Sequence, residues 1–280
     1  MLFFKDIACA GMAIALFSSV AAATVINGGS FNCPPSTGDT NGDHAVNGAS
    51  LVAGTGCTFG STSANIGLEV SDSSSFLMTG GSISGSNYGL DVDGTTGAIN
   101  ISGGTISANS AFVIDGNYVT TPITISGGSF QGGTGGVGLD AFQGSSSIVN
   151  ISLGAFSGRD AIRAASSATI NIAGGTIGSS SVFGVAAEAN AFVNITGGTF
   201  QGSFAALYAQ DNAVINIYGT GLQKSGGFVV GTLESGQTID ANYSTLGHGQ
   251  INVFSVPEPA SLVLMGGGLI ALAAVRRRRA

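Results

Sequence analysis

The chain has no Trp, only 5 Pro and 3 Cys, and charges at just 8% of its 280 positions. So few charges exclude a polyelectrolyte disordered region. Without dense Glu, Lys, Arg and Leu patterning there is no coiled coil or helical bundle. The 47 Gly follow no three-residue period, which excludes collagen. Bases are scarcer than acids, 8 Lys+Arg against 15 Asp+Glu. Such a surface repels phosphate backbones, so nucleic acid is not a partner. With no Trp and 5 Tyr, a sugar-stacking cleft is poorly supplied.

The two ends are set apart from the body. At the start, Lys5 precedes an apolar run over residues 7–17, followed by Ala21-Ala22-Ala23. This pattern predicts a signal peptide over residues 1–23, cut by signal peptidase near Ala23. At the other end, Val256-Pro257-Glu258-Pro259 precedes the apolar residues 260–275 and then Arg276, Arg277, Arg278 and Arg279. A helix over the apolar stretch would be about 24 Å long, enough to enter a thinned bilayer with the arginines snorkelling at the cytoplasmic face. This three-part ending resembles the PEP-CTERM sorting domain, here residues 255–280. The resemblance implies an exopolysaccharide-producing Gram-negative bacterium and recognition by an exosortase-type sorting enzyme. It also implies an intermediate anchored in the inner membrane, then delivery to the cell surface or extracellular matrix. It is silent on what the body does.

The body, residues 24–254, repeats itself. An apolar anchor followed by Gly recurs at Ile26, around Gly54, and at Met78, Ile101, Ile125, Ile151, Ile172, Ile195 and Ile217. From Met78 onward the period is about 23 residues, which marks a solenoid. Each repeat holds an alternating strand such as Ile170-Asn171-Ile172, then an apolar residue five positions beyond the anchor, then a third apolar stretch such as Phe183-Gly184-Val185. Three strands per repeat predict an all-β fold, a parallel β-helix of about nine turns; its resemblance to the right-handed β-helix superfamily implies a right-handed coil. A β-sandwich lacks one supra-period of this kind. Residues 225–254 and 24–52 depart from the repeat and are expected to cap the two ends. The architecture resembles the β-helix superfamily of secreted polysaccharide-binding and polysaccharide-cleaving proteins and autotransporter passengers.

Chemistry-bearing residues are few. Asn100, Thr124, Asn150, Asn171, Asn194 and Asn216 share one outward position, where stacked amides stiffen the rod along its axis. The same array offers sugar hydroxyls or ice a regular surface, although Tyr218 breaks the flatness that ice requires. Residues 38–47 resemble the calcium loop of dockerin modules, with Asp39, Asn41, Asp43 and Asn47 as ligands. His44 replaces the turn Gly, and Ser50 stands where a bidentate acid belongs, so a plain polar insertion is the competing reading. Cys33 and Cys57 predict a disulfide in an exported protein. Arg159, Asp160 and Arg163 form the one charged cluster. With Asp140 they are the candidates for a polysaccharide lyase or glycoside hydrolase, and a surface salt bridge is the alternative. Asp91, Asp93, Asp115 and Asp140 fall on successive turns, where carboxylate pairs reach glycosidase spacing or simply serve turns. The reading is a secreted structural or adhesive rod without a cofactor, with exopolysaccharide as a candidate partner and catalysis as the alternative.

Overall fold

The computed structural model describes residues 25–33, 43–60, 64–94, 97–109, 112–117, 121–141 and 147–256. Within them lie twenty β-strands, from Val25–Asn27 to Gln250–Ser255, and no helix. The predicted signal peptide, the C-terminal helix with its four arginines, Pro257 to Pro259, and the calcium candidates Asp39 and Asn41 lie outside the described residues.

Strands one period apart pair in parallel, so the chain coils into a β-solenoid with three sheets. The first sheet runs from Ser30–Asn32 through the alternating Ile-Asn-Ile strands to Gln250–Ser255. The second begins at Thr58–Gly60 and ends in Phe192–Gln201. The third runs from Val25–Asn27 to the second half of Thr238–Gly247. No β-sandwich pairing occurs among the described residues: antiparallel pairing is confined to Val214–Ser225, Phe228–Leu233 and Thr238–Gly247.

Like side chains stack on like. Met78, Ile101, Ile125, Ile151, Ile172, Ile195 and Ile217 form one inward column in the first sheet. Phe59, Ile83, Ile106, Phe130, Phe156, Ile177 and Phe200 form another in the second. These residues are buried in one continuous core. No turn could bury its own apolar face alone; stacking does it for all of them. Phe130 and Phe156 stack face to face at 4.5 Å.

The corner between the first two sheets explains the Gly pair. Its second member takes a left-handed backbone, φ +90° at Gly104, for example. Its first member sits against the previous turn: a Cβ on Gly127 would lie 2.3 Å from the Ser102 carbonyl oxygen. Leu153 breaks this pattern and projects outward, 59% exposed.

The expected nine turns become about seven complete ones. The two terminal copies of the repeat account for the difference. Ile26 stacks on Ala45 in the third sheet, so its Gly pair turns a different corner, and it is Phe31 that enters the first sheet. At the other end Ile217 is followed not by a second-sheet strand but by an antiparallel hairpin, whose first strand carries Leu222 packed against the core. Of the expected cap over residues 225–254, only the antiparallel part up to residue 242 covers that end, burying Val229, Leu233, Ile239 and Ala241 against the core, whereas residues 243–247 and Gln250–Ser255 are rungs of the third and first sheets. The expected cap over residues 24–52 is instead made of rungs: Asp43–Val46 and Ser50–Ala53 belong to the ladders.

Candidate functional site: one charged face on a neutral rod

Register sorts the charges. Among the described strands, the rungs of the first and second sheets carry no Asp, Glu, Lys or Arg, and the ladder charges fall on the third. There His44, Glu69, Asp91, Asp115, Asp140 and Arg163 are successive register partners in a single row. Parallel strands lie about 4.8 Å apart, so four acids stand on four consecutive rungs. At the two ends of the row His44 Nδ1 lies 2.7 Å from Glu69 Oε2, and Arg163 lies 3.5 Å from Asp140. The hydrogen bond with His44 holds the Glu69 carboxyl below its ordinary range, against the opposing effect of burial.

The expected cluster of Arg159, Asp160 and Arg163 splits into two pairings. Arg159 donates from Nε and from Nη2 to Oδ2 of buried Asp160, at 3.1 and 2.7 Å. Arg163 reaches the other way, donating to Glu188 at 3.0 and 2.8 Å while facing fully buried Asp140. Burial pulls the Arg163 pKa down, but the Glu188 hydrogen bond and the charges of Asp140, Glu188 and Asp160 outweigh it, and the net shift is upward. A guanidinium held so firmly protonated is a poor proton acceptor and a good electrostatic clamp. Asp91 and Asp115 are direct rung neighbours of the same row, whereas Asp93 faces solvent at the end of its strand.

The candidate calcium ligands that the structure describes part company. Asp43 occupies an inward position in register with Leu68, buried, with Oδ2 accepting from the Gly60 amide at 3.2 Å. Asn47 sits at a corner and donates to Asn27 at 3.0 Å. No group of three or more His, Cys, Asp and Glu among the described residues is arranged to hold a metal ion. Cys33 and Cys57 are joined in a disulfide, with their Cα atoms 5.2 Å apart.

From Asn150 onward the outward row of the first sheet is an amide ladder; Thr124 stands between Asn100 and Asn150 in the same row and interrupts the run of amides. Asn171 donates to Asn150, Asn194 to Asn171, and Asn216 to Asn194, at 2.9, 2.9 and 3.1 Å. Asn252 extends it, donating to Asn216 at 3.2 Å. The hairpin insertion hides Asn252 from a fixed-period count, yet Ile251-Asn252-Val253 repeats the motif. Other residues outside the expectation are Glu188, His44 as partner of Glu69, and an aromatic group beside the charged row. There Phe183 stacks on Tyr208 at 4.2 Å, and Phe204 meets Phe183 edge-on at 5.6 Å. Stacking brings the few aromatic side chains together, so the face is better supplied than composition suggested.

Neither any curated protein nor any solved structure matches the chain. The chain does carry a signature at its end, on which the described rod converges as its last strand closes at Ser255. Residues 255–279 match the PEP-CTERM protein-sorting motif, which implies an exported protein sorted by an exosortase-type enzyme.

Proposed function

We propose that the body is a non-enzymatic rod, displayed at the cell surface or in the extracellular matrix of an exopolysaccharide-producing Gram-negative bacterium. In this reading residues 1–23 direct export and are removed by signal peptidase. Residues 260–275 hold an intermediate in the inner membrane until the sorting enzyme acts on Val256 to Pro259. The observation that carries the structural role is the neutral first sheet with its hydrogen-bonded Asn ladder. Such a surface supplies axial stiffness and hydrogen-bonding groups to neutral neighbours, and it lacks acids or bases to move protons. The test mixes the exported protein with the polysaccharide of its own host. Co-sedimentation with unchanged polymer length is expected; shortened chains would overturn the proposal.

A second reading, cleavage of a polysaccharide, is favoured by one observation: the charged row adjoins exposed aromatic surface at Phe204. In that reading Arg163 clamps an anionic sugar, and Asp140 and Asp160 supply the carboxyl groups. Arg163→Ala or Asp140→Asn then abolishes a cleavage that the unaltered protein performs on some anionic or neutral glycan. Absence of cleavage across such a panel removes this reading.

A further inference from the structure

The end of the rod nearest the sorting motif differs chemically from the rest. The last rung consists of residues 243–247 in the third sheet and Gln250–Ser255 in the first. Leu246 is 62% exposed there and Phe254 44%, with Phe254 stacked on Tyr218 at 5.2 Å. Lys224 reaches across the same end, donating to the Ile251 carbonyl at 2.7 Å and standing 5.8 Å from the Tyr243 ring. Among the described residues Lys224 is the one Lys or Arg outside an ion pair. The acids at this end are Asp211, one rung back in the third sheet, and exposed Glu234 and Asp240 on the antiparallel cap beside the second sheet. Exposed apolar side chains, aromatic rings and a lysine are the composition that settles at a membrane–water interface.

Chain length fixes where this end must be. The first sheet closes at Ser255, Val256 still bonds to Gly219, and the apolar stretch begins at residue 260. Four residues span at most about 14 Å. We infer that the C-terminal end of the rod, through Leu246, Phe254 and Lys224, seats on the bilayer surface and presents residues 256–259 there for processing. The inference rests on the proposal that residues 260–275 enter the membrane. It adds that the rod stands on its end against the lipid instead of hanging free on a tether.

The absence of Trp makes a clean test available. The exported chain, from residue 24 onward, is prepared in three forms, Phe254→Trp, Leu246→Trp and Val25→Trp, the last at the far end where Val25 is 60% exposed. Each is combined with phosphatidylcholine vesicles carrying brominated acyl chains, and flotation reports whether the chain joins the vesicles. Lipid quenching in the Phe254→Trp and Leu246→Trp forms, several-fold stronger than in Val25→Trp, is expected. Floated protein with equal or no quenching in the three forms overturns the seating and leaves the membrane span standing. Protein that fails to float overturns the membrane-bound intermediate, and the seating with it. Shielding of the indole in the Phe254→Trp form that grows with protein concentration, without lipid, overturns the seating in favour of a second copy at this end.

Discussion

Asn194 shows how much one side chain can carry in a stacked fold. Its amide donates to Asn171 and accepts from Asn216, so Asn194→Ala breaks two ladder bonds at once. Each such bond contributes about 1 kcal/mol net, so a loss of about 2 kcal/mol in urea unfolding is expected. Asn252→Ala, at the end of the ladder, removes only one bond and should cost about half as much. If both cost the same, the amides act singly and not as a ladder. His44 and Glu69 give a second residue-level expectation. Because the folded Glu69 pKa is lowered, its contribution is fully present above the unfolded value of 4.5 and is lost as pH falls through the folded value. The stability difference between the unaltered protein and His44→Gln should therefore shrink on acidification below about pH 4.5. A difference that is constant with pH, or that grows toward acid, would show that the contact carries no linkage.

At the level of the strand and its corners, glycine has two separate roles that substitution can distinguish. Gly127→Ala drives a Cβ into the Ser102 carbonyl, whereas a Cβ on Gly178 meets nothing within 4 Å. The first should destabilise by about 1–3 kcal/mol. The second should be neutral or stabilise by up to about 1 kcal/mol, through a less flexible unfolded chain. Thermal unfolding of the two variants checks both signs. This corner is also where the sequence is most readable. The Gly pair, the anchor before it and the apolar residue after it recur because every turn meets the same neighbour in the same place, and register follows from the period. The ends are less readable for the matching reason. Ile26-Asn27-Gly28-Gly29 has the letters of the first-to-second corner but lies between the third sheet and the first, and sequence spacing cannot say which corner a Gly pair turns. Among the site residues, Asp140 and Arg163 are visible as charges in a sparsely charged chain. Their separation is one period and puts them on neighbouring turns, but Glu188 lies 25 residues beyond Arg163, and that meeting depends on how many residues the corners consume.

For the whole molecule, stability is close to one-dimensional: each turn touches its neighbours and little else. The middle turns have a partner on both sides, with Thr169–Ala187 lying between Ile148–Ala164 and Phe192–Gln201. The N-terminal strands Val25–Asn27 and Ser30–Asn32 have one each among the described residues, so that end should open first. The disulfide between Cys33 and Cys57 ties the outermost first-sheet strand to the start of the second sheet. For a sequence separation of 24 residues, closing the loop limits the unfolded chain by about 3 kcal/mol. In a globular core that stabilisation would spread over the whole domain. In a solenoid it should remain local, because the constraint reaches distant turns only through every intervening interface. Hydrogen exchange on Cys33→Ser/Cys57→Ser should therefore show faster exchange in residues 25–60 and unchanged protection in residues 169–200. Uniform acceleration along the chain would mean that the rod unfolds as one cooperative unit, with its turns bound more tightly to one another than nearest-neighbour stacking accounts for.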